Sequence, residues 1–180
     1  MRIFNGEAEN FKVLHHSMAS NQENIRTFLT HHSIVYVASG TIHLMENESE
    51  FPIKEGELCL FSPGVYFSSE LASNHKYSMF ALFFNQWTAQ CILRLPGITD
   101  ILNEQYKLIS CREVHIIPKE KIFSNFFDSI QLYYKLKKEV KDEMIPIKFA
   151  ELIYILLDSP HKQTVLSFLS EAAMNDKIMQ

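Results

Sequence analysis

The spacing of hydrophobic positions changes once along the chain. Up to about residue 85, short runs rich in β-branched and aromatic residues alternate with glycine and polar turns. After about residue 117, apolar residues recur every three or four positions instead. The first pattern is typical of strands and the second of helices. The sequence therefore predicts an α+β fold that is mainly β, with a β-barrel over residues 1–117 and a helical segment over residues 118–180.

Five runs in the first part have the strand pattern. They cover residues 11–14, 33–38, 41–45, 57–61 and 77–84. Between them, Ser39-Gly40, the polar segment 46–50 and Ser62-Pro63-Gly64 provide turns. Many short strands without intervening helices favour an antiparallel sandwich or barrel over a parallel sheet. We also expect short helices at 87–95 and 98–103 and a late strand at 113–117.

Three helices are predicted in the second part. The first follows Pro118, the second covers 147–157, and Ser159 with Pro160 forms the N-terminal cap of the third. Because the first helix is apolar over a wide arc, we expect it to pack both on the barrel and on a second subunit. The residues expected at this dimer contact are Ile122, Phe123, Phe126, Phe127, Ile130, Tyr133 and Tyr134.

Composition narrows the function further. The 180 residues are 47% hydrophobic, which is enough for one core, and 21 acidic residues outnumber 17 Lys and Arg. Modules that bind nucleic acid usually concentrate positive charge, so we expect no direct DNA contact from this chain. Cys59, Cys91 and Cys111 are far apart in sequence and form no disulfide or zinc motif. Without a signal peptide or a membrane-spanning run, the sequence predicts a cytoplasmic protein with no membrane contact.

Three segments resemble a known family. Segment 54–65 resembles the second cupin motif, in which a glycine-acidic turn leads into an apolar strand and a Pro-Gly turn. Segment 33–44 resembles the strand, Ser-Gly, strand hairpin of AraC-family sensing domains. Segment 159–169 resembles the last helix before the helix-turn-helix domain in one branch of these regulators. The chain is therefore similar to the N-terminal sensing and dimerisation domain of AraC-type (AraC/XylS) transcription regulators.

This resemblance implies a cupin-like jelly-roll barrel followed by a helical dimerisation segment. It also implies that the protein is a homodimer and that it contacts DNA only through a C-terminal helix-turn-helix domain, which is absent from this chain. Because the sequence ends at Gln180 without a basic helical pair, we expect either an expressed fragment or a naturally shortened regulator.

The metal ligands of enzymatic cupins are not found in this sequence. Those enzymes use an H-x-H pair, a glutamate and a later histidine, but Phe67 occupies the late position here. The neighbouring pairs His15-His16 and His31-His32 would point to opposite faces of a strand and could not share an ion. We therefore expect no metal, no cofactor and no catalytic residue.

A ligand inside the barrel would contact aromatic and polar side chains of the strands. The residues expected to bind it are Tyr36, His43, Phe61, Tyr66 and Phe80. For His43 the alternation along its strand also supports a different interpretation. If Ile42 and Leu44 face the core, His43 lies outside, and a solvated histidine is then the favoured interpretation.

Three functions remain open at this point. We favour a non-enzymatic regulatory module whose barrel senses a small-molecule effector or a regulatory protein and whose helices form a homodimer. The first alternative is a small metal-dependent cupin enzyme, which elemental analysis would reveal. The second is a protein-binding cupin scaffold without a ligand, which is favoured if Phe61, Phe67, Phe80 and Phe84 fill the barrel.

Overall fold

The computed structural model describes residues 11–46, 49–72, 76–103, 114–133, 136 and 138–174. The strands in these ranges are β1 (Phe11–Met18), β2 (Gln22–Leu29), β3 (His32–Ser39), β4 (Thr41–Glu46), β5 (Ser49–Lys54), β6 (Leu58–Phe61), β7 (Gly64–Leu71), β8 (Tyr77–Phe84) and β9 (Val114–Ile117). The helices are α1 (Gln86–Leu93), α2 (Ile98–Asn103), α3 (Lys121–Tyr133), α4 (Lys138–Leu157) and α5 (Lys162–Met174).

The strands form two antiparallel sheets. The five-stranded sheet has the order β1-β8-β3-β6-β9, and the four-stranded sheet has the order β2-β7-β4-β5. Apolar side chains from both sheets meet in one inner cluster, which includes Val35 and Ala81 from the first sheet and Leu44 and Ile53 from the second. The two sheets therefore enclose a common interior, as expected for a mainly β barrel.

The three central strands of the five-stranded sheet, β8, β3 and β6, are buried on both faces. Along β3, Val35 and Val37 belong to the inner cluster, whereas Ile34 and Tyr36 belong to a second cluster shared with the helices. This alternation follows from the two-residue period of a strand. Because both faces exclude water, β3, β6 and β8 are apolar at nearly every position.

The helices form one layer against the outer face of this sheet. The ring of Phe127 on α3 stacks on that of Tyr36, with centroids 4.2 Å apart, and lies 5.5 Å from that of Phe80. Helix α1 contacts α5, and α4 contacts both α3 and α5. Helices from before and after β9 therefore pack together on the barrel.

The predicted strands are found as β1, β3, β4, β6, β8 and β9, and α1 and α2 also lie where they were expected. Strands β2, β5 and β7, all in the four-stranded sheet, were not predicted. Segment 46–50 was predicted to be a loop, but β4 extends to Glu46 and β5 begins at Ser49. Residues 47 and 48 lie outside the described residues. The polar residues of this segment suit β5 because β5 is an edge strand, where charged side chains reach solvent.

The helix boundaries differ from the predicted ones at their N-terminal ends. Helix α3 begins at Lys121 and not at Pro118, and α4 begins earlier than predicted, so that Pro146 lies inside it. Helix α5 begins at Lys162, two residues later than predicted, so Ser159 lies in the turn before the helix and is not its N-cap residue; its Oγ accepts a hydrogen bond from the backbone N–H of His161 at 3.1 Å. Ser159 therefore satisfies one of the free backbone donors near the helix start.

The expected dimer contact is mostly part of the chain's own core. Four of its seven residues are at most 3% exposed in the layer between sheet and helices: Phe123, Phe126, Phe127 and Ile130. Assigning these four to a subunit contact is therefore corrected, because the aromatic outer face of the sheet already covers them. Ile122 is exposed, Tyr133 is half-buried, and Tyr134 lies outside the described residues.

Candidate functional site

A cavity of about 390 Å³ lies between the two sheets. This volume is within the range of roughly 300–1,000 Å³ found for small-molecule pockets. Side chains of β1 to β4 and β6 to β8 line it, and most of the wall is apolar: Leu29, Val35, Ile42, Leu44, Phe61 and Met79. The interior of the barrel can therefore hold a molecule with an apolar body.

One part of the cavity wall contains a buried carboxylate. Glu70 on β7 is 9% exposed, and its Oε2 lies 3.3 Å from Nε2 of His16 on β1. The hydroxyl of Tyr77 donates a hydrogen bond of 3.2 Å to Oε1 of the same carboxyl. Burial raises the pKa of Glu70, while His16 and the hydrogen bond from Tyr77 act in the opposite direction. These three side chains form one polar group in the interior of the barrel.

A second polar area lies where β3, β6 and β7 meet. The hydroxyl of Tyr66 donates a 2.7 Å hydrogen bond to the carbonyl of Ser62, and its ring contacts Phe61 edge to face with centroids 5.1 Å apart. Ser33 also lines the cavity, and its buried Oγ has no hydrogen-bond partner among the described residues. Buried hydroxyls are nearly always hydrogen-bonded, so this atom is available to a ligand.

Two of the five residues expected to bind a ligand, Phe61 and Tyr66, line the cavity. Tyr36 and Phe80 do not, because they occupy strand positions that face the helices. The prediction that these two residues contact a ligand is therefore wrong, because their side chains contact the helical layer. The sequence did not indicate which face of β3 or β8 pointed inward, since both faces are apolar.

His43 lies on the outside of the barrel. Its Nδ1 is 2.7 Å from Oε1 of Glu50 on β5, and both side chains are accessible to solvent. Its neighbours Ile42 and Leu44 are buried in the inner cluster, as the alternation predicted. The prediction that His43 contacts a ligand in the barrel is therefore wrong. The alternative prediction, a solvated histidine, agrees with the structure.

The barrel is not filled by the phenylalanines that would have favoured a closed scaffold. Phe61 lies inside, whereas Phe80 and Phe84 pack against the helices. Phe67 is 48% exposed on the outer face, where the guanidinium carbon of Arg26 lies 5.9 Å from its ring centroid. The interior therefore retains space that these rings would otherwise occupy.

The histidines of the two sequence pairs lie in different environments. The ring of His15 stacks on Phe80 at 4.5 Å, on the face of β1 opposite to His16. His32 is buried between Phe84 and Phe168. In the part of the chain that the structure describes, no three His, Cys, Asp or Glu side chains come together in a way that could hold a metal ion.

Three polar residues that line the cavity were missed by the sequence reasoning: His16, Ser33 and Glu70. His16 was considered only as a partner of His15 in a metal site, and Ser33 only as part of a strand. Glu70 lies on β7, which was not predicted. The available signal was the alternation of Tyr66, Ser68 and Glu70, which places them on one face of β7.

A model of the family described as the ExsA N-terminal regulatory domain matches residues 32–168, which is most of the chain. The chain belongs to this family. The predicted identity as the N-terminal regulatory domain of an AraC-type transcription regulator is thereby confirmed. No curated protein is similar enough in sequence to match. Among the described residues, no helix is both long and apolar enough to cross a membrane.

Solved structures of ToxT from Vibrio cholerae share the fold. Apo ToxT K231A from strain SCE256 matches with a TM-score of 0.62 and 12% identity, over 90% of this chain and 59% of that one. Wild-type ToxT with bound unsaturated fatty acid matches with a TM-score of 0.58 and 14% identity, over 92% and 60%. The chain thus spans about three fifths of the length of these proteins.

Proposed function

We propose that this domain senses a small molecule in its barrel cavity and transmits the signal through its helices. The observation that carries this proposal is the cavity itself, which combines an apolar wall with a buried carboxylate and an available serine hydroxyl. The family assigns a regulatory role, and the fatty acid in one ToxT structure supports a small-molecule effector in this fold. The domain itself catalyses no reaction in this proposal.

Strand β3 connects the cavity with the helices. Val35 lines the cavity, and the next residue, Tyr36, stacks on Phe127 of α3. A ligand that favours one position of β3 would therefore favour one arrangement of α3. The ligand can shift the equilibrium between the two arrangements of α3 only by the difference between its affinities for them.

The helices also provide a surface for a homodimer. Outside the buried stripe of α3, large apolar side chains remain exposed in the helical layer: Ile122, Leu132, Leu136 and Ile147. We propose that these residues form the subunit contact. We also propose that DNA binds to a C-terminal domain beyond residue 180 and that the regulator acts in the cytoplasm. Light scattering after size-exclusion chromatography tests the dimer. Ile147→Glu should lower the mass, whereas Met45→Glu on the four-stranded sheet should not, and a wild-type monomer at high micromolar concentration would contradict the contact.

Binding of Prodan, a neutral dye whose emission depends on polarity, tests the cavity as a ligand site. We expect one dye per chain in the wild type and loss of binding in Val35→Phe, because the added ring occupies cavity volume. The matched control is Val65→Phe, since Val65 lies on the exposed face of β7. Melting curves verify that both variants are folded. Equal dye binding by the two variants would show that the dye binds elsewhere and would contradict the proposal.

A further inference from the structure

The charges around the cavity distinguish between classes of ligand. Within the described residues, the titratable groups of the interior are Glu70, His16, Tyr66, Tyr77 and Cys59. The thiol of Cys59 is fully buried in the inner cluster and is not part of the cavity wall. Arg26 is the one arginine or lysine beside the cavity in this part of the chain, and it is exposed, with its guanidinium over the outer ring of Phe67. A carboxylate in the cavity would therefore approach Glu70 without a buried arginine or lysine to balance it.

Glu70 has remaining capacity to accept hydrogen bonds. A carboxylate offers about four lone-pair sites. Tyr77 uses one site on Oε1, and His16 lies beside Oε2. A donor that enters from the cavity can therefore bind the same carboxyl. A cationic donor gains most, because charge-assisted hydrogen bonds are stronger than neutral ones.

The second polar area lies along the same strand. Tyr66 and Glu70 both face inward from β7, and four strand residues span about 13 Å. The wall near this strand is aliphatic, with Ile42 and Leu44 on the neighbouring β4. The unpartnered Oγ of Ser33 lines the same cavity.

We infer that the cavity binds an elongated apolar molecule with a cationic amine at one end, which the carboxylate of Glu70 receives, and that Ser33 is available to a polar group on the rest of the molecule. This inference rests on the proposed function, because it names the ligand class of the same cavity. It differs in head group from the fatty acid in the ToxT structure, which carries a carboxylate.

Three probes with the same alkyl chain test the inference on the 180-residue protein: octylamine, octanol and octanoate. Calorimetry below the micelle concentrations of octylamine and octanoate and below the solubility limit of octanol should give a Kd for octylamine roughly tenfold lower than that for octanol, with octanoate weakest. Glu70→Gln should raise the Kd of octylamine to that of octanol. The control Glu50→Gln, at the exposed partner of His43, should leave all three values unchanged.

The outcomes separate this inference from the proposed function. If octanoate or octanol binds as tightly as octylamine and displaces Prodan, the cavity is a ligand site but the amine preference is wrong. If neither Prodan nor any of the three probes binds, both proposals fail. Should Glu70→Gln not fold, the comparison of the three probes on the wild-type protein still decides the ligand class.

Discussion

Protonation of His32 should destabilise the fold in mild acid. This histidine begins β3 and is 4% exposed, with its ring 5.2 Å from that of Phe168 and 6.1 Å from that of Phe84. Its Nε2 has no hydrogen-bond partner among the described residues. Burial, assisted by the neighbouring His31, lowers the pKa of His32 from 6.5 to about 4. The folded protein therefore keeps this ring neutral at a pH where an unfolded chain would protonate it.

The direction and size of the effect follow from these two pKa values. Between pH 6.5 and about 4 the unfolded chain binds more protons at this residue than the folded chain. The contribution of His32 is therefore fully present above pH 6.5 and decreases as the pH falls towards 4. One pKa unit corresponds to about 1.4 kcal/mol, so the whole interval amounts to about 3 kcal/mol. That is a large part of the roughly 5–15 kcal/mol that stabilises a typical domain.

Urea unfolding at several pH values from 7.5 to 4, followed by circular dichroism, measures this loss. We expect the free energy of unfolding of the wild type to fall about 3 kcal/mol further over this range than that of His32→Leu, which keeps the apolar contact and cannot be protonated. At pH 7 the variant should be at least as stable, because it removes a buried polar atom without a partner. Parallel curves for the wild type and His32→Leu would refute the reasoning.

Three further variants test particular contacts by the same urea method. Gly40→Ala should lower the free energy of unfolding by about 1–3 kcal/mol, because φ is 86° and the new Cβ would clash with the carbonyl oxygen of Leu71; an unchanged midpoint would contradict this. Phe127→Ala should cost about 3–5 kcal/mol, since it removes the ring that stacks on Tyr36; a loss below about 1 kcal/mol would show that the stack is not formed. Ser33→Ala should leave stability within about 0.5 kcal/mol or raise it, because the Oγ that it removes has no partner among the described residues; a larger loss would mean that the hydroxyl is already bonded.

The strand predictions succeeded where burial makes a strand apolar. Strands β3, β6 and β8 lie in the middle of the five-stranded sheet, between the inner cluster and the helices, and their apolar runs could be recognised. The same property concealed the orientation of their side chains. Tyr36 and Val35 are both buried, so sequence alone could not show which of the two faces the cavity. Four of the seven residues predicted for the dimer contact were misplaced for a related reason, because an apolar helix face does not reveal whether a sheet or a second subunit covers it.

The cavity could not be predicted because strand β7, which lines it, reverses the usual alternation of apolar inward and polar outward side chains. On β7 the inward residues are Tyr66, Ser68 and Glu70, whereas the outward residues Val65 and Phe67 are large, apolar and exposed. From hydrophobicity alone, Val65 and Phe67 would be assigned to the interior of the barrel and Tyr66, Ser68 and Glu70 to its outside. That assignment corresponds to a register shifted by one residue, which would place Glu70 in solvent. Inward polar side chains are stable in a barrel only if they bond to one another or to a molecule inside it. Glu70 meets this condition through Tyr77 and His16, and Tyr66 meets it through the carbonyl of Ser62. These partners come from other parts of the barrel, so the polar inner face of β7 can be recognised only after the register of the sheet is known.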